Sequence, residues 1–174
     1  MKRFQMLLTA FTVCMVSVSC SPVVPETTTT TQSTTTTELT TTTTSIAQET
    51  GGYPWADAPF PNSMPDPWGM YKRQSVSYTA WKIDSTGRFM PYWGGRGNAN
   101  QWDDNARAAG IPVDGNPRVG DVAVNNSGFY GHVMYVEEII DSTKIKVSQY
   151  NASWDGNYST AVVSIAALQF IHFP

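Results

Sequence analysis

Apolar residues fall at two different spacings along this chain, and the change of spacing divides it. Between Arg73 and Ile83, Val76, Ala80 and Ile83 recur at helical intervals and give a helix one apolar face. Asn98 to Ala109 reads as a second helix, opened by an asparagine cap and stopped by Gly110. From Val119 onward the pattern becomes short β-branched runs at 120–124, 131–139, 143–150 and 160–172, separated by Gly and Asn clusters. Two helices followed by an antiparallel sheet predict an α+β domain. Upstream of both, Tyr53 to Trp68 is rich in Pro and Asp and reads as an irregular arm wrapping the core.

The beginning of the chain follows another logic. Lys2 and Arg3 precede an apolar run from Phe4 to Val18, and the small residues Ser17 and Ser19 stand at −3 and −1 of a cut before Cys20. Residues 1–20 therefore predict an export signal. Thr9, Thr12 and Ser17 interrupt the run, which is too short for a membrane span. Three outcomes stay open: plain secretion, lipid modification of Cys20 with anchoring to a membrane, or an uncleaved signal anchor. Residues 21–50 hold the threonine runs Thr27–Thr31, Thr34–Thr37 and Thr40–Thr44. So few apolar side chains cannot offset the entropy of ordering, and the segment predicts a solvated spacer. The domain proper is expected over 51–174.

Composition narrows the chemistry. Both cysteines, Cys14 and Cys20, lie in or beside the signal, which leaves the domain without a thiol or a disulfide. A domain of roughly 120 residues buries enough core to fold without such staples. The formal charge of −3 and the lack of a basic stripe argue against nucleic acid as a partner. With two histidines and no domain cysteine, no zinc site and no cofactor are expected. All six tryptophans fall in the domain; Trp93, beside Gly94-Gly95-Arg96-Gly97, is a candidate for lining a glycan or peptide cleft.

Four ordered blocks carry the remaining information. They are Gln74-Ser75-Val76-Ser77-Tyr78 at the start of the first helix, Gly120-Asp121-Val122-Ala123-Val124, Gly131-His132-Val133-Met134-Tyr135-Val136, and Val147-Ser148-Gln149-Tyr150-Asn151. Phe170-Ile171-His172-Phe173 adds a closing strand. Taken singly, Ser75 fits a helix cap, His132 a packed strand histidine, and Gln149 and Asn151 ordinary strand-end polar residues. His172, between Ile171 and Phe173, reads as structural.

Together the blocks resemble the CHAP family, the cysteine- and histidine-dependent amidohydrolases/peptidases that cut amide and peptide bonds of bacterial cell walls. The resemblance covers roughly residues 53–174 and implies a papain-like α+β fold, with N-terminal helices packed on an antiparallel sheet. It implies a nucleophile position at 75, a base at His132 and an orienting residue at Asn151, with Gln149 where many relatives carry glutamate. In the family the residue after the glutamine is a catalytic cysteine; here it is Ser75. A helix N-terminus can lower a thiol's pKa of about 8.5 far enough to give a thiolate. The same field cannot ionise a serine hydroxyl, which needs a base during attack. The resemblance thus implies a secreted or surface-tethered peptidoglycan amidase or endopeptidase-type domain, weakened or inactive because of Ser75. Its partners would be peptidoglycan or stem peptides. The alternatives are a non-catalytic wall- or partner-binding module on the same fold and a genuine serine hydrolase with Ser75 as its nucleophile.

Overall fold

The computed structural model describes residues 49–61, 63–93 and 97–174; the expected export signal with Cys20, and all of the threonine-rich linker except Glu49 and Thr50, lie outside them. Helix α1 spans Ser75–Ser85 and helix α2 spans Trp102–Ala108, entered through a 3-10 turn at Ala99–Gln101. Six strands follow: β1 (Val113–Asp114), β2 (Val122–Asn125), β3 (His132–Ile139), β4 (Lys144–Tyr150), β5 (Tyr158–Ser164) and β6 (Gln169–Ile171). They form one antiparallel sheet in the order β1-β6-β2-β3-β4-β5. The domain is α+β, as the change of spacing predicts.

Local chemistry explains the helix limits. Gln74 takes the extended conformation of an N-cap (φ −95°, ψ 158°), and its carbonyl accepts from Tyr78 N at 3.1 Å. At the far end the Thr86 hydroxyl donates to the Ile83 carbonyl at 2.7 Å, covering one of the acceptors a helix terminus leaves open. Asn98 closes a capping box with Gln101 ahead of α2, as a capping asparagine should.

Alternation along β3 then sorts the core. Val133 joins Val122, Val124 and Ile171 against Ala80 and Ile83 of α1 and Trp102 and Ala106 of α2. Met134 and Val136 pack on the other face with Ile145, Val147, Leu168 and Phe170. Each such fully buried aliphatic side chain contributes about 1.5–3 kcal/mol. A third cluster is aromatic: Tyr53, Tyr78 and Tyr150 are buried together, with Trp55, Trp81 and Tyr158 packed around them. The Tyr78 hydroxyl donates to Ser148 Oγ at 2.9 Å, and the Tyr150 hydroxyl to the Thr50 carbonyl at 3.1 Å. These bonds fasten the N-terminal arm and α1 to β4, and the first of the arm's anchor points is the Thr50 carbonyl.

Two sheet features depart from the pattern read off the chain. The run predicted at 160–172 is two strands, divided where Leu168 N donates to the Ile165 carbonyl. The two-residue strand β1 was not anticipated. It pairs Val113 with Ile171 and Asp114 with Phe170, a match set by tertiary contact rather than local propensity.

Candidate active site

Ser75 is the first residue of α1 and is 8% exposed. The N–H groups of Ser75, Val76 and Ser77 precede the first bonded turn, so the helix presents its positive end here. The approach to this end is built from residues far apart in sequence. Arg73 sits in the left-handed region (φ +63°), and its guanidinium donates to the Gly156 carbonyl (2.9 Å), the Ala58 carbonyl (3.1 Å) and Asn157 Oδ1 (3.2 Å). One side chain thereby ties the helix start to the arm and to the β4–β5 loop.

His132 opens β3, and the reason a glycine precedes it is steric. Gly131 has φ +69°, and a Cβ there would lie 2.6 Å from the backbone nitrogen of Asn100. The close approach lets Asn100 N donate to the Tyr130 carbonyl (3.0 Å) and Asn100 Nδ2 to the Phe129 carbonyl (3.0 Å). The loop before His132 is thus stapled to the 3-10 turn before α2.

The imidazole of His132 is held by Gln149. Nε2–H donates to Gln149 Oε1 at 2.9 Å, and because that oxygen can only accept, Nδ1 is left with the free lone pair. Burial lowers the His132 pKa below its ordinary 6.5, and the Gln149 bond offsets part of that shift. The ring is therefore neutral at pH 7, the form a general base needs.

Asn151 does something different from the expected orienting role. Its Nδ2 donates to Gln74 Oε1 at 2.6 Å, and its Oδ1 accepts from Gly156 N at 2.9 Å. It clamps the β4–β5 loop to the residue that caps α1, while Gln149, two positions earlier, meets the histidine. Trp93 also lies elsewhere than expected. Its ring packs on Trp102 (5.1 Å between centroids) and Phe173 (6.0 Å), beside the helix-side core.

Ser75 and His132 line one cavity of about 800 Å³, whose wall also includes Gln74, Tyr130, Asn151 and Trp154. Its tryptophans are Trp68 and Trp154, not Trp93. Among the described residues none of the lining side chains is Asp, Glu, Lys or Arg. The arrangement comprises a hydroxyl at a helix N-terminus, a neutral histidine oriented by an amide, and a groove whose described lining carries no fixed charge. The cap residue Gln74, the guanidinium of Arg73 and the exposed ring of Trp154 were not anticipated as parts of it. The one available hint was Trp154 itself, an aromatic among the turn residues Asn151, Asp155, Gly156 and Asn157.

Comparison with known proteins settles the family. The sequence profile of the CHAP domain matches residues 65–151, half of the chain and all of the segment that builds this cavity's helix start, histidine and amides. The chain belongs to the CHAP domain family. A 62-residue segment is 45% identical to the N-acetylmuramoyl-L-alanine amidase sle1 of Staphylococcus haemolyticus, and equally to that of Staphylococcus aureus. The match spans 36% of this chain but only 18% of either relative. A solved structure of an N-acetylmuramoyl-L-alanine amidase from Staphylococcus aureus superposes with a TM-score of 0.53 at 24% identity. It covers 58% of this chain and 30% of that one, and supports the papain-like α+β fold of the CHAP domain.

Proposed function

We propose that this CHAP domain acts at the bacterial cell wall on amide bonds of peptidoglycan, and that its hydrolytic step is weakened or lost because Ser75 stands where the family carries its thiol. The observation that carries this reading is the shared cavity, with Ser75 at the positive end of α1 and His132 held through Nε2 by Gln149. In the parent reaction the nucleophile attacks the amide carbonyl and its proton passes to the free Nδ1 of His132. First-turn N–H groups favour the negative charge that develops on the carbonyl oxygen. The C–N bond then breaks as the histidine returns the proton to the leaving amine, and water hydrolyses the acyl-enzyme. A serine must lose its proton during attack, while the neighbour that steadies the resulting imidazolium is an amide rather than a carboxylate. The leader at 1–20 would carry the domain out of the cell, free or tethered through Cys20.

A second reading keeps the groove and drops the chemistry: a wall-binding module. Gln149 favours it, since it orients His132 without offering a negative charge. Digestion of purified peptidoglycan, followed by mass spectrometry of released fragments, separates the readings. The silenced-hydrolase reading expects new fragments from Ser75→Cys and at most traces from the native protein. No fragments from either, with tight binding of both to wall material, would leave the binding module.

A further inference from the structure

Two uncovered aromatic rings, Tyr130 and Trp154, line the cavity, and a third, Phe129, packs beside Tyr130. Phe129, Tyr130 and Trp154 are 82%, 50% and 73% exposed. Phe129 and Tyr130 meet edge to face at 4.8 Å, and Tyr130 lies 6.4 Å from Trp154. Exposed aromatic groups that form one contiguous patch mark an interaction site more often than scattered ones do.

The backbone around them is held in place against its own preference. Trp154 has φ +64°, a region that a bulky residue seldom occupies and that costs of order 1 kcal/mol or more, and it follows Asn151 at φ +58°, a residue type that enters this region more readily. Asn151 is clamped to Gln74, and the Arg73 guanidinium grips Gly156 and Asn157 on the other side of Trp154. Tyr130 and Phe129 are fixed from behind by the two bonds from Asn100. A strained loop that directs a large apolar ring into solvent is pre-organised for a ligand.

The chemistry of the patch selects the ligand. Tyr130 and Trp154 continue into the cavity that holds Ser75 and His132, and no described residue lining it carries a formal charge. A peptide rich in carboxylates and amines would meet no counter-charge among the described lining residues. A sugar ring fits: its C–H face lies on an aromatic face, and its hydroxyl and acetamido groups find neutral partners such as Ser127 and Asn98 in the same wall.

We propose that Tyr130 and Trp154, backed by Phe129, form a saccharide platform that binds uncharged N-acetylhexosamine units and so presents strand-attached amides, rather than free peptides, to the cavity. The proposal rests on the peptidoglycan reading and names the part of that polymer the rim grips.

The test is calorimetric titration of the full chain with the tetramer of N-acetylglucosamine, which has no peptide and no bond for the proposed chemistry to cut. The native protein should bind it, Trp154→Ala should weaken binding by about tenfold, and Trp154→Phe should recover most of the loss. Phe89→Ala removes an equally exposed ring that does not line the cavity and should change nothing. Thermal unfolding of each variant checks that the fold is kept. No binding of the tetramer, or binding indifferent to Trp154, overturns the platform. So does Trp154-dependent binding of a sugar-free stem peptide, or Trp154-dependent self-association in sedimentation. Tetramer binding alongside a hydrolytically dead Ser75→Cys variant would instead retire the hydrolase reading and keep this one.

Discussion

The two histidines of this chain occupy opposite kinds of site. His172 lies just past β6, 7% exposed in its side chain, with Nδ1 2.9 Å from Asp121 Oδ1 and Nε2 3.1 Å from Asp114 Oδ1. Burial pushes the Asp121 carboxyl up in spite of this contact; half-buried Asp114 is held down, chiefly by the Asn116 N–H and then by His172. His132 opens β3 beside a cavity and has an amide as its hydrogen-bond partner. One histidine stands between a carboxylate of β1 and one at the start of β2, at ion-pair distance from both but without hydrogen-bond geometry at either ring nitrogen. The other is kept neutral with one nitrogen free. Residue type is the same; the partner decides whether the ring is a tie or a candidate base.

The comparison can be broken in three graded ways. In the Ser75→Cys background, His132→Ala should lower wall hydrolysis by about 10²–10⁴-fold, measured as fragment release. Next in size, His172→Ala removes the ring partner of a buried carboxylate and should cost about 3 kcal/mol of folding free energy, read in a denaturant titration, with wall binding by the surviving folded fraction unaltered. Smaller still is Gln149→Glu, which gives His132 the kind of neighbour His172 has. An adjacent carboxylate raises a histidine pKa, so in the cysteine background the acid limb of the pH–rate profile should move up by about one unit. A limb that stays in place would show that position 149 does not govern His132.

The pH dependence of stability sharpens the contrast at the low end of the scale. The folded pKa of His132 lies below its ordinary 6.5 because the ring is buried. Between those two values the unfolded chain binds the proton and the folded chain does not. His132 therefore adds no penalty above about pH 6.5 and destabilises the fold progressively as pH falls through that window. His132→Gln should flatten this slope between pH 7 and 5 in thermal melts, and an unchanged slope would count against a neutral, buried ring.

How far the chain's own pattern reached can be judged from particular residues. Helix spacing at Val76, Ala80 and Ile83, the Asn98 cap and the β-branched runs are local signals, and each falls on observed elements, the 160–172 run on two strands instead of one. Ser75 and His132 were legible through their motifs, and the structure brings both to one cavity. What was not legible depends on register. Gln149 and Asn151 share a strand face on paper, but β4 ends at Tyr150, and Asn151 turns into the left-handed region and leaves His132 to Gln149. Trp93 has a run of glycines beside it in sequence, yet aromatic packing on Trp102 and Phe173 draws it to the core. Contacts spanning many residues, such as Arg73 to Gly156, leave no trace in local composition.

If position 75 lies at an activated site silenced by one atom, as proposed, a thiol placed there should be unusually acidic. The most direct measurement is the pH dependence of iodoacetamide alkylation of Ser75→Cys in residues 49–174, a segment with no other cysteine. The account predicts alkylation that begins well below the ordinary thiol pKa of about 8.5 and loses that acidity when His132 is replaced by alanine. A thiol that reacts as an ordinary one, with the same profile whether or not His132 is present, would contradict it.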